Sequence, residues 1–299
     1  MRAATRDEHP LARRASPLPA STPSLPHGIR HSTIAEGAGF RLFRFRCDPH
    51  AAAWKSENVI GEHPVLAFAT LPVTIRQRGF ATRTADRTRV MLYNPGQVYE
   101  RGLLHPQGDR CYALGLSREL AAELAGQHAD PTHPFSIDHT DLSPVTARLL
   151  HSLARVAHSL DPLELEERVL TLLAGISTNA CAESSPRRAS TIAAHRDLAE
   201  ACRADLAARY TTADSLAEIA RRLHTSPYHL ARVFRAHTGR TIVQHRRALR
   251  AATALDLLTH TREPVAQIAG RVGYTSHAPF SADFKAVFGC TPSQARRPG

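Results

Sequence analysis

Long apolar runs are missing from this chain, and none approaches the roughly 18 residues that a membrane-spanning helix needs. The N-terminus holds charges and prolines but no apolar stretch of the kind a secretory leader requires, so no leader is expected. Cysteine is sparse. The five present (Cys47, Cys111, Cys181, Cys202 and Cys290) show no CxxC spacing and no obvious disulfide framework, a pattern that fits a reducing cytoplasm. Lysine is nearly absent as well: only Lys55 and Lys285 occur, so the positive charge is almost all arginine.

That charge is unevenly placed. The formal net charge is +11. From Arg187 to Gly299 there are 18 Lys+Arg against 8 Asp+Glu, whereas Met1 to Pro186 is nearly balanced at 20 against 19. A positive field concentrated in one segment suits a polyphosphate partner, although a solvated basic surface would give the same tally. With 299 residues there is room for two domains, each with its own core.

Residues 1–28 hold five prolines among Arg, Ser and Ala and show no apolar period, so disorder is expected there. From Phe40 to Leu116 the pattern becomes short alternating runs: Arg41–Cys47, Val65–Thr70, Val73–Arg78, Arg89–Tyr93, Gln97–Gly102 and Arg110–Leu116. Turn residues separate them, which predicts an all-β barrel or jelly roll. Helical signals follow. Ser143-Pro144 and Asp161-Pro162 are each an N-cap with proline at the first helical position, leading into apolar residues at helix spacing. The two helices over 143–179 either flank the β domain or pair with a second copy of the chain as a homodimer. Residues 182–192 read as a linker. The expected division is therefore a sensing domain over 29–181 and an all-α domain over 193–299.

One helical pattern occurs twice in the last third. Leu216, Ile219, Ala220, Leu223, Leu230, Phe234, Gly239 and Thr241 reappear as Val265, Ile268, Ala269, Val272, Phe280, Phe284, Gly289 and Thr291. Repetition of this kind marks one supersecondary unit used twice. Each copy has a short helix, a turn and a second helix, the pattern of a helix-turn-helix. In the first, Ser226-Pro227 starts the second helix, Leu230, Val233 and Phe234 point inward, and Tyr228, Ala231, Arg232 and Arg235 point outward. Outward residues near the start of such a helix reach base edges in the major groove. Arg232 suits a bidentate contact to guanine, and Tyr228 and Ala231 suit a thymine methyl. In the second copy the outward set is His277, Ala278, Ser281, Ala282 and Lys285, poorer in hydrogen-bonding groups. The first helix is therefore expected to discriminate sequence, and the second to supply position and phosphate affinity. A connecting helix over Ile242–Leu258 would hold the two about one turn of B-DNA apart, giving a site of about 20 bp on double-stranded DNA. Arg246, Arg247 and Arg250 on that helix are either phosphate contacts or solvated charges.

These residues resemble the DNA-binding domain of AraC/XylS-type bacterial transcription regulators. The likeness rests on Leu216–Ala220, Ser226–Arg235 and Gly239, and in the second copy on Ile268-Ala269, Val272-Gly273-Tyr274, Phe280-Ser281, Phe284-Lys285, Phe288-Gly289 and Thr291-Pro292. It departs from the family at Ala282, where arginine is frequent, and His224 stands where the second copy has Gly273. The β-rich half resembles the cupin-like N-terminal domain of such regulators. The resemblance implies a two-domain α+β chain, a cupin-like β-barrel with flanking helices followed by a double helix-turn-helix. It further implies a cytoplasmic, nucleoid-associated regulator with a small-molecule effector, and contact with RNA polymerase if the chain activates.

The alternatives are a metal-dependent cupin enzyme and a DNA-organising protein without specificity. Cys47, His50, His63, His105 and Cys111 lack the HxH spacing of metal cupins, so no metal, cofactor or catalytic residue is expected. Cys47 and Cys111 would form a redox pair only if their strands are neighbours, and cysteine is more often a small buried hydrophobe.

Overall fold

In this computed structural model the described residues are 28–54, 56–126, 129–176 and 189–297. The proline-rich stretch 1–27 and residues 182–188 of the expected linker lie outside them. The β-rich part comprises β1 (Ile29–Gly37), β2 (Phe40–Cys47), β3 (Asn58–Val59), β4 (Val65–Ala69), β5 (Val73–Gln77), β6 (Arg83–Ala85), β7 (Arg89–Tyr93), β8 (Val98–Leu103), β9 (Asp109–Leu116) and β10 (His139–Asp141). Three helices accompany it: α1 (Arg118–Ala125), α2 (Pro144–Val156) and α3 (Pro162–Ala174). The helical part follows with α4 (Ala189–Arg209), α5 (Leu216–Arg222), α6 (Pro227–Thr238), α7 (Ile242–His260), α8 (Val265–Arg271), α9 (His277–Phe288) and α10 (Pro292–Arg296). Helix α4 thus begins inside the stretch read as a linker. No helix among the described residues is long and apolar enough to cross a membrane.

The strands form two sheets, ordered β1-β2-β9-β4-β7-β10 and β3-β8-β5-β6. This is the β-rich domain expected, built as two sheets that do not close into one barrel. The edge strand β6 gives a physical reason. Its Thr84 N–H donates to the Glu200 carboxylate of α4 at 2.8 Å, so a side chain takes the place of a further strand. In the six-stranded sheet both faces are covered, and the period of two sorts the residues. Leu66, Phe68, Val90, Leu92, Leu114 and Leu116 join the main core. Their neighbours Val65, Ala67, Met91, Tyr93 and Ala113 line a cavity on the other side.

Both expected helix starts are present. Ser143 accepts from the Thr146 N–H and Asp161 from the Glu164 N–H, with proline in the first turn of each helix. The inward residues of α2, among them Ala147, Leu150, Leu153 and Ala154, share one core with Leu255 and Leu258 of α7 and Phe280, Phe284 and Phe288 of α9. The apolar face of α2, one of the two helices considered for a homodimer, is therefore covered by the chain's own helical part. Leu150 and Leu153 are each 2% exposed, and burying a leucine contributes roughly 1.5–3 kcal/mol.

A second contact between the halves is ionic. Asp86, between β6 and β7, lies 2.9 Å from Arg203 Nε of α4. Arg203 Nη2 also donates to Thr88 Oγ1 at 2.7 Å. Asp86, Thr88, Arg203 and His245 of α7 are all buried. Burial alone would raise the Asp86 carboxyl, but Arg203, His245 and Arg89 pull it well below the usual carboxylate range. Alongside, Arg89 makes a two-pronged contact with Glu200, both bonds at 2.9 Å. Removing one member of a buried pair strands the other charge without a partner. Asp86→Ala is expected to lower stability by about 3–5 kcal/mol, read from urea unfolding; a loss under 1 kcal/mol would mean that solvent reaches Arg203.

Candidate nucleic-acid interface and cavity

The two repeat units share helix lengths and C-terminal caps, while the serine N-cap bonds of Ser215 and Ser226 in the first have no counterpart at Pro264 and Ser276 in the second. Each has a first helix of 7 residues, α5 or α8, and a second of 12, α6 or α9. Each second helix ends on a left-handed glycine, Gly239 at φ 68° and Gly289 at φ 72°. Each is then followed by a reciprocal cap between threonine and glutamine, Thr241 with Gln244 and Thr291 with Gln294. The repeat therefore includes the start of a third helix, α7 or α10. The first unit has its own core of Leu206, Ile219, Ala220, Leu230, Phe234 and Leu249, packed against α4. The second shares the core that runs into the β-rich part.

The units differ at the turn. His224 adopts φ 52°, the left-handed conformation that favours glycine, while its counterpart Gly273 sits at φ 88°. A β-carbon on Gly273 would lie 2.2 Å from the Thr211 carbonyl oxygen. Glycine is thus obligatory in the second unit, whereas His224 is exposed and pays only the backbone term.

In α6, Tyr228 is 79% exposed, Arg232 and Arg235 are exposed, and Ala231 is half-buried. Arg232 lies 3.5 Å from the His229 ring nitrogen. Ser226 is committed to capping, its hydroxyl accepting from the His229 N–H at 3.2 Å. On α9, His277, Ala278, Ala282 and Lys285 are exposed. Ser281 is half-buried and lies 3.3 Å from the His277 ring. Docking of α2 leaves these positions open. It reaches the far end of the second unit, where Arg148 donates to the Phe288 carbonyl at 3.2 Å and Arg155 to that of Arg296 at 3.0 Å.

Within the fold, the arginines of α7 bond to neighbouring loops and helices. Arg246 donates to the Asp214 carbonyl at 2.6 Å, and Arg250 to those of Tyr210 and Thr212. Arg250 also stacks 5.0 Å from the centre of the Tyr274 ring, and Arg247 pairs with Asp283 of α9. They brace the loops of both units against the helix between them.

Between the two sheets lies a cavity of about 720 Å³, walled mostly by apolar side chains including Phe43, Phe45, Val65, Met91 and Tyr93. Its polar wall is Arg101, facing Asp109 at 3.5 Å and enclosed by the rings of Phe45, Trp54 and Tyr99. Strands β2 and β9 are neighbours, yet Cys47 is opposite Asp109 and Cys111 opposite Phe45. Two residues of offset put the cysteines farther apart than a disulfide spans. Burial pushes the Cys111 thiol well up. Among the described residues, Cys47, His50, His63, His105 and Cys111 do not converge; the donors that do are His151, Asp256 and His260.

Two helix-turn-helix units joined by one helix define a DNA-binding domain. Residues 219–298 match the helix-turn-helix domain family. The activator RhaR of Mannheimia succiniciproducens is 38% identical over 81 residues, 27% of this chain and 29% of that protein. The arabinose operon regulatory protein of Escherichia coli (strain K12) is 33% identical over 81 residues, 27% of this chain and 28% of that protein. The C-terminal domain of AraT, a response regulator from Geobacillus stearothermophilus, covers 38% of this chain and 89% of that chain at 29% identity, with a TM-score of 0.32. The C-terminal part of the chain therefore carries a helix-turn-helix domain, similar over these residues to the matching part of those regulators. The matches span under a third of the length of these curated relatives.

The turn geometry gives a direct check. Gly273→Ala is expected to cost about 1–3 kcal/mol through the left-handed backbone and the Thr211 contact. His224→Gly should leave stability within roughly 1 kcal/mol of the parent. Melting temperatures of the two variants decide it, and equal losses would contradict the asymmetry.

Proposed function

We propose that this chain is a sequence-specific transcription regulator that reads double-stranded DNA at two adjacent major-groove segments. The observation that carries the reading is the duplicated unit on one continuous helix, with the outward side chains of both second helices left free of the fold. Tyr228, Ala231, Arg232 and Arg235 are the base-reading set, and Ser226 lies at the phosphate-facing end of the same helix. His277, Ala278, Ser281, Ala282 and Lys285 form the second set, with Lys285 its one cation. With small side chains at Ala278 and Ala282, the second helix supplies register and phosphate affinity more than base contacts.

The apolar cavity is the seat of a small-molecule effector; its volume falls within the range of ligand pockets. Effector occupancy would reach the DNA through the Asp86–Arg203 contact and through α2 on α7. Such a chain works in the cytoplasm, on the nucleoid, and contacts RNA polymerase if it activates. No catalytic role is assigned.

Selection of random duplexes by the full chain tests this. A non-palindromic site of about 20 bp with two blocks one helical turn apart is expected. Arg232→Ala should lose preference at one or two positions, by about 1–3 kcal/mol, and keep the salt dependence of its non-specific binding. An unselective pool, or equal weakening on every duplex, would refute base reading by α6.

A further inference from the structure

One polar cluster serves neither the DNA face nor the cavity. It lies where α2 meets α7. His151 comes from α2, while Asp256 and His260 are one turn apart on α7 and so share a face. Asp256 Oδ1 is 3.2 Å from His260 Nδ1 and 3.8 Å from His151 Nδ1. One donor atom from each of the three lies within 4.8 Å of the others. A tetrahedral ion bound at 2.0–2.1 Å would space its nitrogen and oxygen ligands about 3.3 Å apart.

Hydrogen bonding within the protein accounts for His260, whose Nδ1 also lies 2.9 Å from the Asp256 carbonyl oxygen, but not for His151. His151 is 7% exposed, and its Nδ1 has no hydrogen-bond partner. Leaving a buried polar atom unpaired is costly, so the position calls for a partner that protein atoms do not supply. On the far side of His260, Nε2 lies 3.0 Å from the Tyr112 hydroxyl of β9. That is the kind of outer contact which fixes the ring of a ligating histidine. Arg87 is the feature that opposes a cation. It sits 3.1 Å from Asp256 Oδ2, but it engages that oxygen alone and leaves Oδ1 facing the two imidazoles.

We propose that His151, Asp256 and His260 bind one divalent transition-metal ion that bridges α2 and α7. Two imidazoles and a carboxylate favour zinc over magnesium or calcium, which take oxygen donors. Three protein ligands leave one position for water. Because α2 belongs to the cavity-bearing half and α7 holds the two DNA-reading units, the ion fastens one to the other. The site stands whether or not the chain reads DNA.

The test uses the full chain, stripped with chelator and titrated with Zn²⁺ against a chromophoric chelator. One ion per chain is expected at the tightest site. His151→Gln and His260→Gln should each weaken it roughly 100-fold, and Tyr112→Phe roughly 10-fold. His158→Gln, at an exposed position of the same region, should leave it unchanged. The ion should also raise the melting temperature of the parent and not of the two ligand variants. A folded parent that takes up no Zn²⁺ at tens of micromolar overturns the proposal, as does equal uptake by the ligand variants. Should those variants fail to fold, Co²⁺ on the parent decides: intense visible bands of a four-coordinate ion are expected, and the faint spectrum of a hydrated ion refutes the site.

Discussion

Asp86 and Arg203 are both taken out of water, and neither charge would be tolerated there without the other, so the strand turn that holds one and the helix that holds the other must meet. That requirement fixes α4 against the edge of the four-stranded sheet, where Glu200 occupies the Thr84 N–H and the Arg89 guanidinium. With α4 so placed, the first helix-turn-helix packs on it through Cys202 and Leu206. The second unit is held from elsewhere, by α2, whose apolar face lies against α7 and α9. Each DNA-reading unit thus has its own attachment to the β-rich half, one ionic and one apolar.

This division gives the two units unequal mechanical standing. Apolar burial is tolerant of small slides, whereas a buried ion pair with defined hydrogen bonds has one good geometry. A change in the cavity has a short path to the ionic attachment. Ala85 and Met91 line the cavity, and Asp86 and Arg89 lie within two residues of them. The proposed discriminating helix α6 belongs to the unit reached by that path.

Much of this was legible in the sequence, for identifiable reasons. Proline after serine or aspartate announces a helix start when apolar residues follow at helix spacing, so Ser143 and Asp161 were readable as caps, whereas Asp48-Pro49 and Asp130-Pro131 only turn the chain. The duplicated residues were readable because they form a core that each unit needs separately. The strand β1 was not, since IRHSTIAEG offers few large apolar residues, and β10 has only three residues. The covering of the β6 edge was also hidden, because what satisfies it is a carboxylate more than a hundred positions away. His151 did leave a trace: it falls on the inward stripe of α2 beside Leu150 and Ala154, an odd place for an imidazole. Arg203 hides in the same way among Ala199, Cys202 and Leu206 of α4. Inward polar residues of this kind show only that a partner exists; which one it is depends on how the two halves meet.

The helix α7 has no glycine or proline between its two caps; Arg246 and Arg250 bond it to the loop before the first unit, and Arg250 stacks on Tyr274 in the turn of the second. Its 19 residues form a rod of about 28 Å. A rod of that kind measures as well as joins. Adding one base pair between the two contacted segments of a duplex would move them about 3.4 Å apart and turn one about 35° around the axis relative to the other. A flexible tether would absorb that change; α7, braced at both ends, would pass it to the DNA as bending or twisting. For the proposed two-segment reading, the spacing between the two halves of a binding site becomes part of the recognition, even where no side chain touches a base.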